Sequence, residues 1–209
     1  MQIQRPLATI TPTLDGDVLA VLAGAEATFT PGQVARLVPD ASVEGIRKVL
    51  RRLATQGIVT SERVGQAYTY QLNREHLAAP AVLQLAQQRA ALLARLQQAM
   101  DAWPVRPVHG ALFGSAARGQ MSLDSDIDVF LVRPDGAAPD VWETQTGELA
   151  AAVTRWTGND TRILNMTEAE VRAGAASGDP VLRSIVEDGL TVAGRSSWLR
   201  ALLRSAAAR

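Results

Sequence analysis

Apolar positions recur at helical spacing through the first third of the chain and at strand spacing soon after. Val18, Leu19 and Leu22 share one face of a helix predicted over residues 15–23. Thr30 ahead of Pro31 supplies an N-cap and a first-turn proline, opening a second helix that runs through Leu37. Ser42 caps a third helix, SVEGIRKVLRRLATQG, whose stripe of Val43, Ile46, Val49, Leu50 and Leu53 predicts a buried face. Gly57 stands where a glycine ends a helix. The stretch IVTSERVGQAYTYQL then alternates as two strands around a turn at Val64-Gly65-Gln66.

Three short helices followed by a hairpin are the layout of a winged helix-turn-helix, expected over residues 1–76. Residues 77–103 follow as one long linking helix, with Leu85, Leu92, Leu93, Leu96 and Met100 as its stripe, broken by Pro104 and Pro107. From residue 104 to 209 strand and helix patterns alternate. Strands are predicted at 108–113, 126–132 and 160–166, with a last edge strand at LTVAG, residues 190–194. Helices are predicted over 141–157, after a Thr167/Glu170 capping box, and after Asp179-Pro180. The tail, residues 196–209, is amphipathic. The expected fold class is α+β, ending in a small mixed sheet flanked by helices.

Composition narrows the chemistry. The 209 residues are 47% hydrophobic and 20% charged, which is globular in balance. Cysteine is absent, so disulfides and thiolate metal sites are excluded. No apolar run reaches the ~18 residues of a membrane span, and the N-terminus lacks a signal-peptide pattern, so a cytoplasmic protein without membrane contact is expected. Formal net charge is zero. Any nucleic-acid affinity must therefore come from a local patch.

One such patch is the third helix. Lys48, Arg51 and Arg52 fall on the face opposite Ile46, Val49, Leu50 and Leu53. An apolar back and a cationic front suit the major groove of double-stranded DNA. Ser42, Glu44 and Arg47, near the helix start, are the expected base readers, and Arg63 at the hairpin tip is an expected phosphate contact. The alternative is a solvated basic face on a protein-binding module. A palindromic operator would call for a homodimer.

A second patch is GALFGSAARGQMSLDSDIDVFLV, residues 110–132. A strand ends at Gly114-Ser115, a turn that lets polyphosphate approach backbone N–H groups. Ten residues lie between Ser115 and Asp126. Asp126 and Asp128, at i and i+2 of the next strand, point to one face and supply hard oxygens for Mg²⁺. Taken alone, Asp-Ser-Asp is also a common turn before a strand. His76 and His109 are too few and too far apart in sequence to propose a zinc site, and Trp142 and Trp156 are expected in packing.

The combination GSAARGQMSLDSDIDVFLV resembles the signature of the DNA polymerase beta nucleotidyltransferase superfamily, most closely its minimal nucleotidyltransferases. The resemblance covers roughly residues 105–194. It implies triphosphate binding at Gly114 and Ser115, Mg²⁺ coordination by Asp126 and Asp128, and transfer of a nucleoside monophosphate, AMP from ATP above all, to a hydroxyl. The acceptor in many such relatives is a partner protein, often a HEPN-type toxin. Arg118 belongs to the same motif, either touching phosphate or holding the motif loop through a carboxylate.

Such enzymes usually carry a third acidic residue on the next strand. Here that strand reads NDTRILNM, which puts Arg162 in the acidic slot. Asp160, two residues earlier, is the substitute candidate. Two readings follow: an antitoxin-like DNA-binding nucleotidyltransferase, and a transcriptional regulator whose nucleotidyltransferase domain only binds nucleotide or is inactive.

Overall fold

The computed structural model describes residues 1–207, so the last two residues of the predicted tail helix, 208 and 209, lie outside the described residues. The chain divides into two compact units, residues 2–89 and a second built from residue 90 onward together with Met1.

The first unit begins with a short 3-10 turn, Pro6–Thr9, and holds α1 (Leu14–Ala23), α2 (Pro31–Leu37), α3 (Val43–Thr55), β1 (Val59–Val64), β2 (Ala67–Leu72) and α4 (Ala79–Ala86). Local chemistry sets the boundaries. Thr30 and Gln33 form a reciprocal capping box before Pro31. The Ser42 hydroxyl accepts from the Gly45 N–H at 3.0 Å. Gly57, at φ +81°, makes the left-handed exit from α3. β1 and β2 pair antiparallel, with Val64 opposite Ala67 and a two-residue turn at Gly65-Gln66. Val18, Leu22, Val34, Ile46, Leu50, Tyr70 and Leu72 meet in one core. Each such buried aliphatic side chain contributes about 1.5–3 kcal/mol. Val43 departs from its predicted stripe: it is 44% exposed, because it opens the helix before the buried face begins.

The single helix expected over 77–103 is two helices, α4 and α5 (Gln88–Asp101), separated at Gln87. Ala79, Val82 and Leu83 join the core of the first unit. Leu92, Leu96 and Met100 are buried on α5, which belongs to the second unit from residue 90 onward.

The second unit adds β3 (His109–Phe113), α6 (Gly114–Arg118), β4 (Ile127–Arg133), α7 (Pro139–Thr157), β5 (Thr161–Thr167), α8 (Glu168–Ser177), α9 (Pro180–Asp188), β6 (Leu190–Gly194) and α10 (Ser196–Ala207). The sheet order is β5-β4-β3-β6. β4 runs parallel to β5 and antiparallel to β3, and β3 runs antiparallel to β6. As a central strand, β4 buries Ile127, Val129, Phe130, Leu131 and Val132 completely, which explains its unbroken apolar sequence. Phe130 and Val132 pack with Ala111, Val171 of α8, Leu182 and Ile185 of α9, and Leu199 of α10. The predicted Thr167/Glu170 box caps α8. The tryptophans serve packing: Trp142 is buried and meets Trp103 edge-on at 5.6 Å, while Trp156 lies under the Arg95 guanidinium.

Candidate functional site

The register of two strands builds the site. Phe113, the last residue of β3, pairs with Asp128 of β4, so the chain turns at Gly114 directly beside that carboxylate. Gly114 has φ +68°. A Cβ at this position would stand 2.5 Å from Asp128 Oδ2 and 3.3 Å from its Cγ. No side chain fits both the backbone and the space, so only glycine brings the turn against the aspartate. Ser115 follows as the second residue of α6.

Asp126 immediately precedes β4, and Asp128 is its second residue. Burial holds the Asp128 carboxyl above the ordinary carboxylate value, and the neighbouring Asp126 charge adds to this. Arg162 and Arg118 oppose the shift. In the parallel pairing Asp128 lies opposite Arg162. Arg162 Nη2 makes an ion pair with Asp126 Oδ2 at 2.8 Å.

Arg118 is the last residue of α6. Its Nε donates to Gln120 Oε1 at 3.2 Å, and its Nη1 lies 3.6 Å from Asp188 Oδ2 at the end of α9. Asp160, the candidate third carboxylate, takes part through its backbone: its carbonyl accepts from the Ile127 N–H at 2.8 Å. Among the described residues no three His, Cys, Asp or Glu side chains are placed so that they could hold a metal ion together, so Asp160 does not complete a metal-holding trio with Asp126 and Asp128. Arg162 is the side chain opposite Asp128.

Asn159 is a residue that sequence reasoning passed over. It is buried, and its Nδ2 donates to the Ser125 carbonyl at 2.8 Å, fixing the peptide that leads into Asp126. Ser125 in turn accepts at its Oγ from the Ser122 N–H at 2.8 Å. The one signal in the sequence was a polar residue directly after Gly158, where α7 ends in a left-handed cap.

The two carboxylates suit one divalent cation. Mg²⁺ is commonly held by one or two carboxylates, with water and substrate phosphate completing its octahedron, and does not need an all-protein cage. Asp126 and Asp128 would hold it. Such a cation would neutralise the phosphate oxygens on which charge develops in phosphoryl transfer.

In the first unit the expected DNA-contacting residues divide by partner. Arg52 closes on Asp15 of α1 with Nη2 at 2.6 Å from both carboxylate oxygens, and Arg47 pairs with Glu44 on its own helix. That pairing raises Arg52's affinity for its proton and lowers that of Asp15. Ser42 is engaged as the N-cap of α3. Arg63 Nε donates to the Gly65 carbonyl at 3.2 Å. Lys48 and Arg51 are exposed, and their side chains are in no ion pair among the described residues. Arg51 borders a shallow surface depression with Thr55, Ser61 and Tyr68.

Comparison with known proteins bears on the second unit. Residues 96–159 match the family model described as a nucleotidyltransferase domain. No curated protein matches the chain. Similar solved structures include a toxin-antitoxin with AMP-PNP, 18% identical over 58% of this chain and 84% of that one, with a TM-score of 0.37. The toxin-antitoxin MntA-HepT is 16% identical over 58% of this chain and 84% of that one, with a TM-score of 0.36. A tri-AMPylated Shewanella oneidensis HEPN toxin in complex with MNT antitoxin gives 15% identity over 57% and 84%, with a TM-score of 0.38. No helix among the described residues is long and apolar enough to cross a membrane.

Proposed function

We propose that this chain, which carries a nucleotidyltransferase domain over residues 96–159, transfers a nucleoside monophosphate from an NTP, AMP from ATP first among them, to a hydroxyl of a partner protein. The observation that carries this reading is the Gly114 turn seated on Asp128 with Asp126 beside it. Gly114 and Ser115 would meet the triphosphate through backbone N–H groups and the serine hydroxyl. Asp126 and Asp128 would hold Mg²⁺. The acceptor oxygen attacks the α-phosphorus, the bond to the β-phosphate bridging oxygen breaks, and pyrophosphate leaves. The acceptor's proton passes to a base of the site, with Asp160 as its candidate, or to water.

The first unit would bind double-stranded DNA as a winged helix-turn-helix, with Lys48 and Arg51 of α3 as its unpaired cations. The motif GSAARGQMSLDSDIDVFLV supports a HEPN-type toxin as the acceptor, and the whole then reads as an antitoxin that also regulates. The Arg162–Asp126 ion pair favours a second reading, in which the domain binds nucleotide without transferring it.

Labelled ATP, Mg²⁺ and a co-expressed HEPN-type partner separate the two. Label on the partner with wild type, reduced at least a hundredfold in Asp126→Ala/Asp128→Ala, supports transfer. Equal absence of label in both, while wild type retains nucleotide, leaves the regulator.

A further inference from the structure

Among the described residues Arg162 is the one cation in direct register with the paired aspartates. Its strand position faces Asp128, its guanidinium reaches Asp126, and its charge acts on both carboxylates. The contact is a single N–H to oxygen pairing at the end of a side chain that is 75% exposed, whereas the Asp126 side chain is 23% exposed. Among the described residues Arg162 has no other ion pair or side-chain hydrogen bond. The head group is therefore parked on a carboxylate by one solvated contact and is free to turn.

A cation at Asp126 has two opposite effects on the proposed ligands. It competes for the carboxylate with any divalent ion, and a guanidinium within reach of a metal opposes that metal by like charge. The same planar fork is the side chain best matched to phosphate oxygens.

We propose that Arg162 is an exchange residue: it neutralises Asp126 until nucleotide arrives, then yields that carboxylate to the divalent ion and transfers its guanidinium to a phosphate oxygen of the nucleotide. This rests on the reading of the site as one for a nucleoside triphosphate. No covalent bond changes; one ion pair is replaced by another plus a metal–carboxylate bond. Metal and nucleotide then bind cooperatively, because each removes the partner that Arg162 and Asp126 offer one another, and the coupling is reciprocal. The arrangement keeps a lone divalent ion from occupying the two aspartates without substrate.

The test uses the full chain and two probes, Mn²⁺ by electron paramagnetic resonance and a fluorescent ATP analogue by anisotropy, each alone and together. For Arg162→Gln, Mn²⁺ alone should bind roughly two- to fivefold tighter than to wild type. The ATP analogue in chelator should bind about tenfold more weakly. The enhancement of nucleotide affinity by Mn²⁺ should shrink, because the exchange that couples the two ligands is gone, and Arg162→Lys, which keeps the charge without the fork, should fall between. Thermal melts of each variant confirm folding. Wild-type affinities for both probes in Arg162→Gln overturn the proposal, and so does parallel weakening of both, which would make Arg162 a support for Asp126. Wild type that takes no ATP analogue with or without Mn²⁺ fails the nucleotide reading itself, an outcome distinct from wild-type binding that the variant leaves unchanged.

Discussion

Arg52 in the first unit and Arg162 in the second are both arginines on aspartates, yet they do different things. Arg52 bridges two helices, with one nitrogen at 2.6 Å from each oxygen of Asp15 and a second nitrogen at 3.2 Å. It ties α3 to α1 and spends its charge inside the first unit. Arg162 touches Asp126 once, at the mouth of the proposed nucleotide site. The difference teaches that positive charge counted along a sequence is not positive charge available to a ligand. On α3 the exposed cations in no ion pair among the described residues are Lys48 and Arg51.

The largest way to break this comparison is at the turn that makes the second site. Gly114→Ala forces a left-handed residue, about 1–2 kcal/mol unfavourable, and drives a methyl into Asp128. Turnover should fall about a hundredfold, as displaced reacting groups do, and ATP affinity with it. Labelled-ATP transfer reads the turnover, calorimetry the affinity and urea melts the backbone cost, and a variant that binds ATP as wild type does would remove Gly114 from the site.

A smaller effect is expected on DNA. Lys48→Ala/Arg51→Ala should flatten the dependence of log affinity on log salt by about 2, one for each lost phosphate contact. Arg52→Ala should leave that slope nearly unchanged and lower the melting temperature instead. Equal slopes for both variants would mean that the Asp15 pair opens on DNA.

The smallest effect is a pH dependence of stability at the sheet. His109 is buried on β3, stacked on Trp198 at 6.1 Å and beside Phe130, with Nδ1 lacking a hydrogen-bond partner among the described residues. Burial lowers its pKa, and a backbone hydrogen bond with Arg195 opposes this in part. The unfolded chain therefore binds the proton more readily than the folded one from about pH 6.5 downward, so stability is full above that pH and is lost as pH falls toward the depressed folded value. Urea midpoints at pH 7.5 and 5.5 should separate more for wild type than for His109→Phe.

The sequence carried the helices and hairpin of the first unit because their apolar stripes and caps are local. Thr30, Ser42 and Gly57 each act on residues within a turn of themselves. Gly114, Ser115, Asp126 and Asp128 were legible for a similar reason, since one strand–turn–strand segment holds all of them. The break at Gln87 was not legible: glutamine does not end helices. What ends this one is that two cores claim its two halves. At 100° per residue, the Ala79, Val82 and Leu83 stripe lies roughly 100° out of phase with that of Leu92, Leu96 and Met100. The Asn159–Ser125 hydrogen bond and the Arg162–Asp126 pair were hidden because both need the β4–β5 register, which joins residues more than thirty positions apart. Asp160 is proposed as a third carboxylate from spacing alone; its carbonyl accepts from the Ile127 N–H, a backbone contact that leaves the role of its carboxylate a proposal.

Because the Gly114 turn is fitted to Asp128 by the absence of a side chain, the site's tolerance to variation is lopsided. At position 114 every replacement adds an atom where Asp128 already stands. A saturation library selected for nucleotide binding should show one position reduced to a single letter, with graded preferences on either side of it.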